Sequence, residues 1–134
     1  MEWIDRVPSI IFTRVKNTFS KTIKSKYKMT NNNFSSSDSN DNDAIFPFVK
    51  VDVIDINENA EDLEGTTING ALFSVQIDVT DNQSSARANE VASEVTRTLK
   101  LMSFKLISKN KTDINKLHRI TMRFRRSIDE NDTL

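Results

Sequence analysis

Residues 72–102 read LFSVQIDVTDNQSSARANEVASEVTRTLKLM, and the hydrophobic period changes midway through them. Phe73, Val75, Ile77 and Val79 alternate with Ser74, Gln76, Asp78 and Thr80, the period of two that turns one face of a strand to a core and leaves the other wet. From Ala88 onward the apolar positions are Val91, Ala92, Val95, Leu99 and Met102, a helical stripe that leaves Arg87, Glu90, Glu94, Arg97 and Lys100 outside it. Ser84 or Ser85 stands where a helix N-cap is needed. A wet-faced strand followed directly by a helix lying across its sheet is the centre of an α+β unit.

The flanks extend that unit. In FPFVKVDVID, residues 46–55, Val49, Val51 and Val53 share a face and Pro47 suits a strand start, so a first strand is predicted there. Residues 55–65, DINENAEDLEG, carry Asp55, Glu58, Glu61, Asp62 and Glu64 with little periodicity and are expected to form an acidic connecting loop, closed by turn residues 66–70. Beyond the helix, Phe104, Leu106 and Ile107 make a short third strand, and Lys109 to Lys116 turn back into a last strand, Leu117–Arg126. In that strand Ile120, Met122 and Phe124 point inward, and Arg119, Thr121, Arg123 and Arg125 point out. The fold class predicted for residues 44–126 is therefore α+β, a small mixed or antiparallel sheet of about four strands with one helix packed on it. Residues 127–134 are acidic and expected to fray.

An additional helix precedes this body. Within residues 1–29, Ile4, Val7, Ile11, Val15, Phe19, Ile23 and Tyr27 recur at steps of three and four, which predicts one helix of about six turns with Asp5 as N-cap and Pro8 in the first turn. Its other face carries Arg14, Lys16, Lys21, Lys24 and Lys28 and reads as solvated. Residues 30–43, TNNNFSSSDSNDND, have almost no apolar content, so a polar flexible linker is expected and the helix becomes an arm that docks at a distance, even on a neighbouring subunit.

Composition narrows the function. The 134 residues suffice for one core, and 37% apolar content is below the roughly 45–50% usual for globular domains, which suggests a thin core that leans on partners. There is no cysteine, so disulfides, thiolate metal sites and cysteine nucleophiles are excluded. The two glycines, Gly65 and Gly70, cannot build a phosphate-cradling loop. His118 is the single histidine and has no cysteine or second histidine as partner, so it reads as a strand histidine packed or half exposed near a turn. The acidic run, with Asp52, matches no calcium loop and reads as solvated, leaving a carboxylate metal site as the one surviving enzyme hypothesis. Neither a catalytic residue nor a cofactor is expected. No membrane is expected as partner, since no apolar run approaches the roughly 18 residues of a span, and the start MEWIDRVPSIIF lacks a basic region, so an unexported soluble protein is expected. The 19 basic and 19 acidic residues cancel, so charge-driven binding must be local.

Two local patches stand out: the outward arginines Arg119, Arg123 and Arg125 together with Arg126, and the acidic run Asp55, Glu58, Glu61, Asp62 and Glu64. Opposite charges on different parts of a neutral chain suit contacts between subunits, while a nucleic-acid surface would call for exposed aromatics among the arginines. A small nucleic-acid-binding regulator stays as the less favoured alternative.

Taken in order, FPFVKVDVI, the acidic insertion, LFSVQIDVT, ARANEVASEVTRTLKLM and LHRITMRFRRS resemble the tail-terminator (tail-completion) proteins of long-tailed bacteriophages, over about residues 46–126. The resemblance implies a non-enzymatic virion protein, assembled in the host cytoplasm and placed at the head-proximal end of the tail. It would form a homo-oligomeric, hexameric ring that ends the tail tube, contacts the tail tube protein and the neck or head-closure proteins, and lets DNA pass without sequence-specific binding. A neck or head-tail adaptor protein is the alternative within the same structural class.

Overall fold

A computed structural model describes residues 2–36, 45–61 and 68–129. The chain forms α1 (Glu2–Thr18), α2 (Lys21–Lys26), a single 3-10 turn (Asn31–Asn33), β1 (Phe34–Ser36), β2 (Phe48–Glu61), β3 (Ile68–Asp81), α3 (Ser85–Leu101), β4 (Lys105–Ile114) and β5 (Leu117–Asp129). The strands make one five-stranded mixed sheet in the order β1-β2-β3-β5-β4, with β1 parallel to β2 and every other pair antiparallel. The α+β class is thus observed, with one strand more than the sequence led us to expect.

β3 is the central strand, and its alternation decides which side is covered. Phe73, Val75, Ile77 and Val79 are fully buried under α3, whose Ala88, Val91, Ala92, Val95 and Leu99 are fully buried in return. β5 adds Ile120, Met122 and Phe124 from the inward positions. Ser84 caps α3, its hydroxyl accepting the Arg87 N–H at 3.1 Å.

The N-terminal segment departs from expectation in two ways. The helix breaks at Phe19–Ser20, because Ser20 caps the short α2 through its hydroxyl and donates its own N–H to Glu94 Oε2 at 2.8 Å on α3. α1 begins at Glu2, so Pro8 lies inside it and Asp5 is no N-cap. Nor is α1 a remote arm: Ile4, Val7, Ile11, Val15 and Phe19 are buried in the same core as β3 and α3. The polar segment is structured at its beginning. Thr30 and Asn33 cap each other in the 3-10 turn, and buried Asn33 donates Nδ2 to the Pro47 carbonyl at 2.8 Å while its Oδ1 accepts the Thr30 N–H at 2.8 Å. Phe34 then packs edge-on against Phe19, with ring centroids 5.3 Å apart. Residues 37–43 of the predicted linker lie outside the described residues. Asn33→Ala strips three backbone partners at once, the Thr30 N–H and the Ile45 and Pro47 carbonyls, and should lower stability by about 2 kcal/mol in urea titration, by the cost of unmet buried groups.

Three strands run further than their side-chain patterns indicate. β2 continues through Glu61, so residues 55–61 are strand and not loop. β4 continues to Ile114, where Asn115 and Lys116, with φ of 51° and 69°, make a two-residue hairpin in place of the expected turn from Lys109 to Lys116. β5 continues to Asp129 with Ile128 buried, so residues 127–129 do not fray. Left-handed backbone is costly for a lysine and free for glycine. Lys116→Gly should therefore stabilise the hairpin by roughly 0.5–1 kcal/mol, read as a rise in denaturation midpoint.

Candidate interaction surface

α1 and α3 cover one face of the sheet, and no described element covers the other. That open face is a grid of paired rows. Thr80 faces Arg119, Asp78 faces Thr121, Gln76 faces Arg123 and Ser74 faces Arg125 across the β3–β5 ladder. Arg119 Nε donates to Thr80 Oγ1 at 3.2 Å, Thr121 Oγ1 to Asp78 Oδ1 at 2.6 Å, and Arg123 Nε to Gln76 Oε1 at 3.2 Å. Gln76 Nε2 in turn donates to Asp78 Oδ2 at 3.3 Å. On β2, Lys50 stands beside Asp78 and Asp52 beside Gln76.

These hydrogen bonds orient the guanidinium groups without using them up. Arg119 and Arg123 each give Nε to a neutral side chain on β3, which holds the stem and leaves the terminal nitrogens for a partner. An ordered guanidinium loses less entropy when it meets a carboxylate than a free one does. Apolar groups flank the grid. Phe46, Phe48 and Leu117 line a depression of about 220 Å³ with Arg119, and exposed Ile54 and Ile107 line another with Asp55, Arg123 and Arg125. Ordered cations beside apolar hollows are a combination that protein-binding surfaces use.

The site residues singled out from sequence divide as follows. Arg119, Arg123 and Arg125 lie together on the open face, as alternation required. Arg126 does not join them: it shares the parity of Phe124, sits opposite Phe73, and donates Nη1 to the Met102 carbonyl at 2.6 Å. It serves the end of α3, where a cation meets an unpaired carbonyl. Asp55 is exposed on β2 and paired with Ser74, in the same hollow as Arg123 and Arg125. Glu58 and Glu61 are strand positions, while Asp62 and Glu64 lie outside the described residues. The acidic segment is thus largely an extension of β2, because backbone pairing to β3 holds it there regardless of side-chain polarity.

His118 lies opposite Asp113 in the β4–β5 hairpin, its Nδ1 2.9 Å from Asp113 Oδ1. Among the described residues no three His, Cys, Asp or Glu side chains converge as metal ligands would, and no helix is long and apolar enough to cross a membrane.

Sequence reasoning missed two clusters on the covered side. Asp81, fully buried, accepts the N–H of Gln83 and of Ser84 and lies 2.8 Å from Arg87 Nε. That N–H is not aimed at the oxygen, so the contact is an ion pair and not a hydrogen bond. Glu94 joins Arg97 to Ser20, and Arg97 Nη2 reaches the Thr18 carbonyl at 2.9 Å, tying the end of α1 to α3. The Glu94 carboxylate beside it holds the Arg97 guanidinium above its ordinary range, chiefly by hydrogen bonding. Charged residues inside a helical stripe's margin were the available signal, but their partners are distant in sequence. Removing the carboxylate by Glu94→Ala should cost about 2 kcal/mol, since a charged acceptor is lost at a nearly buried site, and free the α1–α2 junction to faster amide exchange.

Fold and surface together define a small α+β domain with one helix-covered and one open sheet face. Searches of protein-family profiles and of curated proteins give no match to this chain.

Proposed function

We propose that this chain is a structural assembly subunit of the tail-terminator type, forming a ring that closes a phage tail tube and presents the surface to which the neck binds. The observation that carries the reading is the uncovered sheet face, with its row of oriented arginines flanked by apolar hollows at Phe46, Leu117, Ile54 and Ile107. It supports docking onto another protein, and the resemblance over residues 46–126 supplies which kind. The mechanism needs no turnover. Oriented guanidiniums meet carboxylates of the tube or of a neighbouring subunit, the apolar hollows receive side chains, and repetition around a rotation axis makes individually weak contacts hold collectively.

The test is imaging of tails assembled with a tagged copy of the chain. Density for the tag at the head-proximal end, in a closed ring, is the expected result. Density elsewhere on the particle, or particles of normal length and head attachment lacking the chain, would remove the terminator assignment.

A further inference from the structure

Charge on the open face is divided between its two halves. Level by level along the strands, β2 presents Asp52 where β5 presents Arg123, and Asp55 where β5 and β4 present Arg125 and Lys105. None of these five side chains has an ion-pair partner among the described residues. Apolar side chains are matched across the face in the same way. β2 and β4 each bulge at one residue, Ile54 and Ile107, and these stand within about one residue of the same level on opposite sides of a shared hollow, 42% and 47% exposed. At the hairpin end, Phe46 on the β2 side and Ile114 on β4 flank Leu117.

We infer that the free chain forms a twofold dimer in which the open faces of two copies pack on each other, with the axis parallel to the strands and between β3 and β5. Rotation about that axis keeps every level and exchanges the two halves, so β2 of one copy lies over β4 of the second copy, and β3 over β5. Asp52 then comes over Ser108 beside Arg123, and Asp55 over Lys105 beside Arg125, each twice by symmetry. Ile54 meets Ile107 and Phe46 meets Ile114, again twice. The remaining charges meet neutral groups: Lys50 comes over Asn110, Asp78 over Thr121 and Arg119 over Thr80. An isologous contact needs a patch complementary to its own rotated image, which this face provides.

Other packings lose that match. Facing sheets keep their strands aligned to within about 30° or cross them near right angles. An axis across the strands is the second aligned choice, and it sets β2 over β2 and β5 over β5, carboxylates against carboxylates and arginines against arginines. Crossed strands break the levels. The face measures about 19 Å over its four long strands and about 27 Å from Leu117 to Arg125, so roughly 1,000 Å² is buried in all, the low end for a specific contact. Such a dimer dissociates on dilution, and a twofold contact stops at two copies. The dimer does not depend on the tail-terminator reading. Under that reading it covers the docking arginines until a tube or neck surface displaces one copy.

Sedimentation equilibrium of the full chain should show monomer and dimer exchanging with concentration. Monomer alone at the highest soluble concentration, or species larger than a dimer, would overturn the inference. Arg123→Asp with Arg125→Asp should abolish the dimer, as should Asp52→Lys with Asp55→Lys, because each face then carries one sign. Mixing the two variants should restore it. Dimers in either variant alone, or none in the mixture, would overturn the charge pairing. The absence of cysteine lets crosslinking locate the axis. With a short bismaleimide, Ile54→Cys mixed with Ile107→Cys should give covalent dimer at least tenfold faster than either alone or with an Ala86→Cys control on α3. Equal rates for mixed and like pairs would overturn the axis. A monomeric chain that still forms head-proximal rings would remove the dimer and leave the terminator reading, while a dimeric chain absent from tails would do the reverse.

Discussion

Asp81→Ala is expected to lower the unfolding free energy by about 3–4 kcal/mol, the largest loss we foresee from a single polar substitution. The carboxylate is fully buried, and it is shared by the Gln83 and Ser84 amides and the Arg87 guanidinium, itself only 15% exposed. Alanine leaves the two amides without their acceptor and strands a largely buried cation, and the second effect dominates because an uncompensated charge costs more than an unmet amide. For a domain of this size the loss corresponds to a fall in melting temperature of roughly 10–15 °C. Asp81→Asn retains an oxygen for the amides and should lose about half as much. The double change Asp81→Ala with Arg87→Leu should be less damaging than Asp81→Ala alone, since no charge is left behind. Urea titration of the parent, Asp81→Ala, Arg87→Leu and the double variant measures this coupling directly. Additive losses in the double variant would show that Arg87 does not depend on Asp81, and would leave only the amide bonds as the role of this carboxylate.

Reversing two charges on the open face should have the opposite profile, abolishing assembly with little change in stability. Arg123 and Arg125 are exposed, and the one described hydrogen bond between them and the fold is Arg123 Nε to Gln76. Loss of an exposed neutral contact costs well under 1 kcal/mol, and surface changes of this kind fall within about 0.5 kcal/mol of neutral. Binding responds more strongly. A carboxylate placed where a partner presents carboxylates adds repulsion to the loss of a charge-assisted bond, and a ring multiplies the penalty at every interface. Arg123→Glu with Arg125→Glu should therefore reduce head-joined particles at least a hundredfold in complementation while the purified protein melts within about 2 °C of the parent. Normal particle yield from the double variant would reject the arginine row as a docking element. A lowered yield accompanied by a collapsed melting temperature would show instead that the row is needed for folding.

Side-chain pattern alone was sufficient where one face of an element is buried. Phe73 to Val79, the Ala88-to-Leu99 stripe and Ile120 to Phe124 were all legible, because burial on a single face imposes a period, two in a strand and 3.6 in a helix. From the same periodicity Arg119, Arg123 and Arg125 were placed on the open face. It could equally have excluded Arg126, whose position has the parity of Phe124, had alternation been applied to the end of the strand.

Contacts between elements were needed to find where strands without a sustained apolar period end. Residues 54–61 of β2 and 109–114 of β4 carry no apolar alternation, yet they are strands because β3 and β5 beside them offer backbone hydrogen bonds, and such bonds are blind to side-chain polarity. The break at Ser20 needed Glu94, the start of β1 needed the Pro47 carbonyl for Asn33, and Asp81 needed Arg87. The Ser20 and Asn33 links join residues well apart in the chain, and the nearer Asp81–Arg87 pair forms only because β3 hands directly into α3. A local window records the composition of such residues and not their partners. Alternation and helical spacing were enough to define one sheet with a covered and an open face and an arginine row on the latter. The structure decided how far each strand runs, because strand length is fixed by the neighbour's backbone and not by the strand's own side chains.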